Sequence, residues 1–163
     1  MSELDAQPPP YEVPRVPASA GAMIFDRRGR LLVLNPTYKR HWTIPGGQLE
    51  ASGETPWEAC QRETLEECGI WLERGRLACV DFLRPGPGRD GGIRYLFDCG
   101  AFDDEQLAAI ELQPGEISEH RLVELDEAQL LLSGPLRRRV LAAVAAKHCV
   151  YLEEGRPLPA VRA

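Results

Sequence analysis

The chain has 163 residues and a mass of 18.1 kDa, the size of one domain that folds without disulfides or a structural metal. Apolar residues make up 44% and charged residues 27%, which excludes disordered, collagen-like and membrane-spanning chains. The net charge of −6 excludes a basic surface for nucleic acid, so the sequence predicts neither a nucleic-acid nor a membrane partner.

The first predicted elements are a tail and a β-hairpin. Residues 1–17 contain five of the fourteen prolines, which indicates an extended tail outside the fold. The apolar runs 20–25 and 31–34 flank a polar turn, and this pattern predicts a hairpin with Gly29 as its left-handed residue. We therefore expect one domain over residues 18–159 and a short C-terminal tail over 160–163.

The best-defined helix is predicted between Thr55 and Gly69. Thr55 and Glu58 have the spacing of a capping box, and Pro56 suits the first helical position. Gly69 stands where a left-handed glycine ends a helix. Apolar residues on one side of this helix are expected to face the core. We place there Trp57, Cys60, Thr64, Leu65 and Cys68.

The remaining elements mix strands and helices without strict alternation, which predicts an α/β fold with a mixed sheet. They are strands at 77–83, 93–97 and 119–124, helices at 103–110 and 135–148, and a last edge strand at 150–152. A glycine- and proline-rich loop, 84–92, joins the first two of these strands. The arginine run 137–139 is expected on the solvent face of the last helix.

The cysteine pattern indicates the compartment. The five cysteines are odd in number and form no C-x-x-C pair, which favours buried, reduced thiols over a disulfide set. The N-terminus does not resemble a secretory signal. Both features predict a cytoplasmic protein.

Three carboxylates lie close together on the predicted helix. Glu63, Glu66 and Glu67 stand at i, i+3 and i+4, where each like-charge pair costs about 0.2–0.5 kcal/mol in an isolated helix. A hard divalent cation takes several oxygen ligands and would favour this crowding. The alternative interpretation is a solvated acidic face, and the triplet alone does not decide between the two.

The segment 47–70 resembles the signature box of the Nudix hydrolases, G-x5-E-x7-R-E-U-x-E-E-x-G-U, where U is aliphatic. The core Arg62-Glu63-x-x-Glu66-Glu67-x-Gly69 matches in every fixed position. Two departures exist: six residues rather than five separate Gly47 from Glu54, and Thr64 occupies an aliphatic position. The resemblance implies a Nudix-type α/β/α sandwich extending from about residue 18 to residue 151.

The resemblance also implies an activity and a set of site residues. Nudix hydrolases cleave a diphosphate linkage in a nucleoside diphosphate joined to another moiety, with water as nucleophile and Mg²⁺ or Mn²⁺ as cofactor. Glu66 and Glu67 would be the main metal ligands, and the Gly47 carbonyl would be a further one. Glu63 would bind a second ion or orient the water. Arg62 would tie the loop to the helix through Glu54 or Glu50.

Other candidates come from outside the box. Glu116 and Glu119 are candidates for a further carboxylate, although acidic residues at strand edges are usually only solvated. Arg40, Arg84 and Arg89 are candidates for substrate binding. Loop 84–92 is predicted to border the pocket for the variable part of the substrate, with an exposed hairpin tip as the alternative.

Two classes of function remain open from the sequence. A metal-dependent pyrophosphohydrolase is favoured because all three box glutamates are present. A non-catalytic Nudix-fold module that binds a nucleotide or nucleotide sugar is the alternative. The sequence decides neither the substrate nor the preferred ion, and it leaves open whether the protein is a homodimer.

Overall fold

The computed structural model describes residues 11–161. In that range the strands are β1 Ala18–Asp26, β2 Leu31–Pro36, β3 Gly46–Gln48, β4 Arg76–Leu83, β5 Gly92–Phe102, β6 Ile117–Val123, β7 Val150–Glu153 and β8 Arg156–Pro157. The helices are α1 Pro56–Cys68, α2 Asp104–Ala108, α3 Leu125–Leu131 and α4 Gly134–Ala145. Most of the expected N-terminal tail, residues 1–10, and residues 162–163 of the C-terminal tail lie outside the described residues. Residues 11–17 are exposed and form neither helix nor strand.

The strands form one mixed sheet in the order β6-β2-β1-β5-β4-β7-β8, and β3 pairs with β1. Strand β1 is parallel to β5 and antiparallel to both β2 and β3. The pairing of β1 with β2 is confined to the end near the Gly29 turn, where Phe25 faces Leu31. Because the two strands diverge beyond that point, β3 can pair with the N-terminal half of β1 and bring the loop before α1 to the sheet.

Helices cover both faces of this sheet, which confirms the predicted α/β/α sandwich. Alternate residues of β1 point to opposite faces. Ala22 and Ile24 pack in a core with Cys60 of α1, whereas Met23 packs in a second core with Val140 of α4. Burial on both faces explains why β1 and β2 read as continuous apolar runs in the sequence.

Helix α1 has the ends that its sequence predicts. Thr55 Oγ1 accepts a hydrogen bond from the Glu58 backbone N–H at 3.2 Å, and Glu58 Oε2 accepts one from the Thr55 N–H at 2.8 Å. Gly69 ends the helix with φ +71°. The predicted core side was wrong at one position, because Leu65 is 45% exposed and Glu67 is buried in its stead.

The C-terminal part differs most from the prediction. Helix α4 ends at Ala145, not at residue 148. Strand β8 pairs with β7, so the strand predicted at 150–152 is not at the edge of the sheet. Arg139 was wrongly placed on a solvent face: its side chain is 11% exposed and pairs with Asp81. Helix α3 and the short strand β3 were not predicted.

The thiol prediction agrees with the structure. All five cysteines are free, and Cys149 alone among them is only partly buried. No helix in residues 11–161 has the length and apolarity to cross a membrane.

Candidate metal and substrate site

The loop that precedes α1 lies directly against that helix. The Gly46 N–H donates a hydrogen bond to Glu67 Oε2 at 2.9 Å, and Glu67 is only 4% exposed. Gly46 has φ +146°, and a Cβ there would collide with the Ala20 carbonyl oxygen on β1. The close pairing of β3 with β1 therefore requires glycine and aims a backbone donor at the Glu67 carboxylate.

Gly47 has a different partner, the Glu63 carboxylate. A Cβ at Gly47 would overlap both Glu63 carboxylate oxygens and its Cδ carbon. Glu63 therefore packs its carboxylate on the bare Cα of the preceding loop. Two of the three predicted carboxylates are thus held against the Gly46–Gly47 backbone and do not form a freely solvated face.

Arg62 joins the loop to the helix. Its Nε and Nη2 atoms donate to Glu54 at 2.7 and 3.1 Å, and Nη2 also donates to the Gln48 carbonyl at 3.0 Å. Its Nη1 atom donates to Glu63 at 2.8 Å and to Glu66 at 3.2 Å. Glu50 lies farther away, 3.8 Å from Nε. One guanidinium thus bridges three carboxylates and a backbone carbonyl.

The extra residue between Gly47 and Glu54 does not break this arrangement. The loop turns at Ala51–Gly53, where Gly53 has φ +89°. The Glu50 N–H then donates to Glu54 Oε2 at 2.8 Å. The hydrogen bonds from Arg62 and Glu50 keep the pKa of Glu54 below its usual value, so this carboxylate stays charged as the partner of Arg62.

Burial dominates the electrostatics of the other two loop-facing carboxylates. Burial, with smaller contributions from the charges of Glu63 and Glu116, raises the pKa of Glu67 to about 7, against the lowering effect of the Gly46 N–H and of Lys39. Burial also raises the pKa of Glu63, against the lowering influence of Arg62. Buried carboxylates of like charge close together are stabilised by a cation, which favours the metal-site interpretation of the acidic triplet.

The donor set suits Mg²⁺ or Mn²⁺, since every side-chain donor is a carboxylate oxygen. Within residues 11–161, no three His, Cys, Asp or Glu side chains converge as a complete ligand set. Magnesium sites that act on phosphates use one or two protein carboxylates and complete the shell with water and phosphate oxygens. Two of the three glutamates of the acidic triplet are enough for that kind of site. Glu66 is 47% exposed at its side chain, so it can reach an ion in solvent.

The two further carboxylate candidates differ in surroundings. Burial raises the pKa of Tyr38, and the charges of Glu67 and Glu116 raise it further; Glu116 also adds to the increase at Glu67, so its charge lies within electrostatic range of the acidic triplet. Glu119 lies on β6 and binds Arg121 at 2.7 Å at the surface. Of the two candidates, Glu116 is therefore the one whose charge acts on the acidic triplet, and its role as a further ligand stays a prediction.

The three arginines predicted to bind substrate are spread over the surface. Arg84 donates to Glu153 and Arg89 to Glu154, each at 3.0 Å. Arg89 also lines a small cavity of about 180 Å³ with Gln48 and Arg94, so loop 84–92 lies beside the loop before α1, and its place at a substrate pocket stays a prediction. Arg40 is exposed.

A larger cavity, of about 340 Å³, opens beside Gly46 and Gly47. Tyr38 and Lys39 line it from the segment after β2, and Arg94, Tyr95 and Arg139 line it from the sheet and α4. Burial lowers the pKa of Lys39, and the Glu67 carboxylate partly offsets that effect. The cavity therefore lies next to the carboxylates and is the candidate space for a substrate.

Sequence reasoning missed Arg139 and its partner Asp81 as residues of this cavity region. Asp81 is completely buried on β4, and its Oδ2 atom lies 2.9 Å from Arg139 Nε. A single acidic residue inside the apolar run 77–83 was the available signal, because a buried carboxylate requires a partner.

Comparisons with known proteins bear on the family and the fold of the chain. The family model described as the NUDIX domain matches residues 15–144. An uncharacterized Nudix hydrolase of Listeria monocytogenes is 26% identical over 121 residues, which cover 68% of this chain. The match covers 64% of that protein, so the chain spans less than two thirds of the relative's length.

Solved structures are similar over most of the chain. The MutT protein of Methanosarcina mazei superposes with a TM-score of 0.66 and 24% identity, covering 79% of this chain and 93% of that one. An Ap4A hydrolase of C. elegans, solved as a binary complex, gives a TM-score of 0.56 and 27% identity, covering 78% and 98%. These findings confirm the fold and the family resemblance carried by residues 47–70.

Proposed function

The chain belongs to the NUDIX domain family, and on that premise we propose that it is a metal-dependent pyrophosphohydrolase. The proposed substrate is a nucleoside diphosphate linked to another moiety, and the proposed nucleophile is water. Family membership supports a Nudix-type hydrolase in general. The arrangement of the acidic triplet beside a cavity supports the finer assignment.

The observation that carries the proposal is the placement of Glu63 and Glu67 against Gly46 and Gly47. Both carboxylates are withdrawn from bulk water, and burial raises the pKa of each. Keeping two acidic groups there costs stability, because like charges are crowded in a medium of low dielectric. A bound cation would offset that cost. Carboxylates that were merely solvated would stay in water and would not be crowded against the backbone.

We assign Glu66 and Glu67 as metal ligands, the Gly47 carbonyl as a further ligand, and Glu63 as a ligand or as the group that orients the water. Glu116 is the proposed additional carboxylate. When bound, Mg²⁺ or Mn²⁺ supplies charge neutralisation of phosphate oxygens and a lowered pKa for water. Arg62 acts as a positioning residue, since its bonds to Glu54 and the Gln48 carbonyl fix the loop to the helix.

A substrate screen with matched variants tests this proposal. Purified protein is incubated with sugar nucleotides, dinucleoside polyphosphates, ADP-ribose and dNTPs in Mg²⁺ or Mn²⁺, and phosphate, pyrophosphate and nucleoside monophosphate are detected separately. We expect turnover of at least one diphosphate compound and a loss of ~10²-fold or more in Glu67→Gln. Glu73→Gln, an exposed glutamate just after α1, is the control with unchanged turnover.

The outcome separates the two classes of function. Turnover that depends on Glu67 and on the ion supports the hydrolase. Saturable binding of the same compounds without any hydrolysis would instead support the non-catalytic nucleotide-binding module. Cytoplasmic localisation and a homodimer stay as proposals, to be examined by fractionation and by light scattering.

A further inference from the structure

A cluster of buried charges that the carboxylate site does not use lies at the wall of the 340 Å³ cavity, and its two arginines, Arg94 and Arg139, line that cavity. Asp81 on β4 is fully buried, Arg139 on α4 is 11% exposed at its side chain, and the two lie 2.9 Å apart. Arg94 on β5 is half-buried, and the Asp81 charge acts on it as well. Arg94 is the cross-strand partner of Asp81 between β5 and β4, so two guanidinium groups lie near one carboxylate, although only Arg139 is ion-paired with it.

The cluster of Asp81, Arg94 and Arg139 has a net charge of +1, because two guanidinium groups face a single carboxylate. Asp81 Oδ1 accepts a hydrogen bond from the Gly155 N–H at 2.9 Å, so one of its oxygens is already bonded. Arg94 forms no ion pair within residues 11–161: its Nη1 and Nη2 donate to the carbonyls of Ile93 and Gly91 at 3.3 and 3.2 Å. Burial lowers the pKa values of both arginines, which reflects the cost of keeping them charged there.

The cavity presents these charges to a ligand. Lys39, Arg94 and Arg139 line it, and no aspartate or glutamate does among the residues described. The terminal Nη atoms of Arg139 make no hydrogen bond to any residue in the range 11–161. The protein has a net charge of −6, whereas every charged side chain that lines this cavity is positive. Such a lining attracts anions and repels cations.

We propose that this cavity is a second anion subsite, in which Arg94 and Arg139 bind a phosphate or carboxylate carried by the substrate beyond its diphosphate. The inference rests on the proposed function, because it concerns the same substrate. Guanidinium forks match the oxyanions of both groups. Gly46 and Gly47 line the same cavity and contact the acidic triplet, so one molecule can reach both places.

The first test measures anion binding without catalysis. Metal-free protein in EDTA is melted in increasing inorganic phosphate, with ionic strength held constant by sodium chloride. Wild-type protein should melt at higher temperature as phosphate rises, because only the folded chain forms the subsite. Arg94→Gln should lose that shift, and it leaves the Asp81–Arg139 pair intact, so the variant is expected to fold.

Two further variants make the phosphate test specific. Arg137→Gln removes the same charge from an exposed position of α4 and should keep the full shift. Arg139→Lys keeps the charge opposite Asp81 but loses the guanidinium fork, so its shift should fall between those of the wild type and Arg94→Gln. Equal shifts in wild type and Arg94→Gln would overturn the subsite.

The second test uses pairs of diphosphate compounds that differ in one anion. NADPH and NADH differ by a phosphate, and UDP-glucuronic acid and UDP-glucose differ by a carboxylate. In at least one pair we expect the anionic member to have the higher kcat/KM by ~10-fold or more, and Arg94→Gln to abolish that preference. Which pair responds identifies the source of the anion.

The results separate this inference from the proposed function. If Arg94→Gln lowers kcat/KM equally for both members of each pair, Arg94 binds the common diphosphate and the subsite is wrong, although the hydrolase stands. If no diphosphate compound is hydrolysed, the hydrolase proposal fails, and the phosphate titration still decides whether Arg94 and Arg139 bind an anion.

Discussion

Gly46 and Gly47 are adjacent, but a methyl group would act differently at the two positions. At Gly46, φ is +146° and the Cβ would meet backbone atoms of β1, including the Gly21 Cα at 2.6 Å. At Gly47, φ is not positive, and the three nearest atoms that the Cβ would meet all belong to the end of the flexible Glu63 side chain. One glycine serves the fold, and the other serves the placement of a carboxylate.

Alanine substitutions should therefore separate stability from activity. Gly46→Ala should destabilise the protein by about 1–3 kcal/mol from its backbone conformation alone. Gly47→Ala should leave the melting temperature nearly unchanged and lower kcat by about 10²-fold, because Glu63 is displaced. Thermal melting and turnover of both variants check this. A Gly47→Ala protein with full activity would show that the Glu63 position is not required.

The buried carboxylate of Glu67 links stability to pH. In the metal-free fold its pKa is raised from 4.5 to about 7, so the folded chain holds a proton that the unfolded chain has released. The contribution of Glu67 to stability is then greatest below pH 4.5 and falls as pH rises towards 7. This shift in the pKa of Glu67 corresponds to a decrease of up to ~3 kcal/mol in the free energy of unfolding once the pH is above 7.

Glu67→Gln should remove this pH dependence. Glutamine keeps an oxygen that can accept the Gly46 N–H but carries no charge. In EDTA, we expect urea unfolding to show wild-type stability falling between pH 5 and pH 8, and a flatter profile in the variant. At pH 8 the variant should be the more stable of the two. Parallel profiles would mean that Glu67 titrates normally in the folded protein.

At the scale of elements, loop 84–92 connects β4 to β5 and is tied to the β7–β8 hairpin. Arg84 and Arg89 pair with Glu153 and Glu154, and the Arg84 N–H also donates to Glu154 at 2.8 Å. Exposed pairs of this kind contribute little stability, about 0–1 kcal/mol each. Their effect is to hold the loop beside the small cavity that Arg89 shares with Gln48 and Arg94.

The two loop arginines should differ in their effect on kinetics. Arg89→Ala should raise KM and change the ranking of substrates while kcat is nearly preserved, because an interaction of equal strength in the ground and transition states affects only binding. Arg84→Ala is the matched control from the same loop and should leave KM unchanged, because Arg84, although a candidate from the sequence, pairs with Glu153 and does not line that cavity. Equal KM values for both variants and the wild type would assign the whole loop to the surface.

At the scale of the whole molecule, the candidate site depends on elements that are distant in sequence. Glu67 on α1 is bonded to β3, β3 is paired with β1, and Glu116 comes from the segment before β6. The cavity is closed by β5 and α4. Only the folded chain brings these groups together, so ligands of the site should stabilise the folded state.

Divalent ions should therefore raise the melting temperature in a site-dependent way. Two or three carboxylates bind Mg²⁺ weakly without phosphate, so the shift is expected at millimolar rather than micromolar ion. Glu66→Gln should reduce the shift, and Glu73→Gln should not. A magnesium titration followed by thermal melting measures this. An equal shift in all three proteins would indicate nonspecific binding of the ion.

The sequence by itself determined the elements whose signals are local. The ends of α1 follow from Thr55, Glu58 and Gly69, because capping groups act within one helical turn. The hairpin at Gly29 and the apolar strands likewise depend on near neighbours or on a short period. The family box in residues 47–70 is also local, which is why it could be identified from spacing alone.

The tertiary structure decided what depends on distant partners. Glu67 is buried because β3 pairs with β1 and presents the Gly46 N–H to its carboxylate. Strand β3 has three residues, which is too short for a periodic pattern that would predict it from the sequence. Arg139 follows two arginines on α4, a pattern typical of a solvated face, yet it is buried because Asp81, 58 positions earlier, needs a counterion. Burial and charge pairing are properties of the assembled layers, so they could not be determined from spacing along the chain.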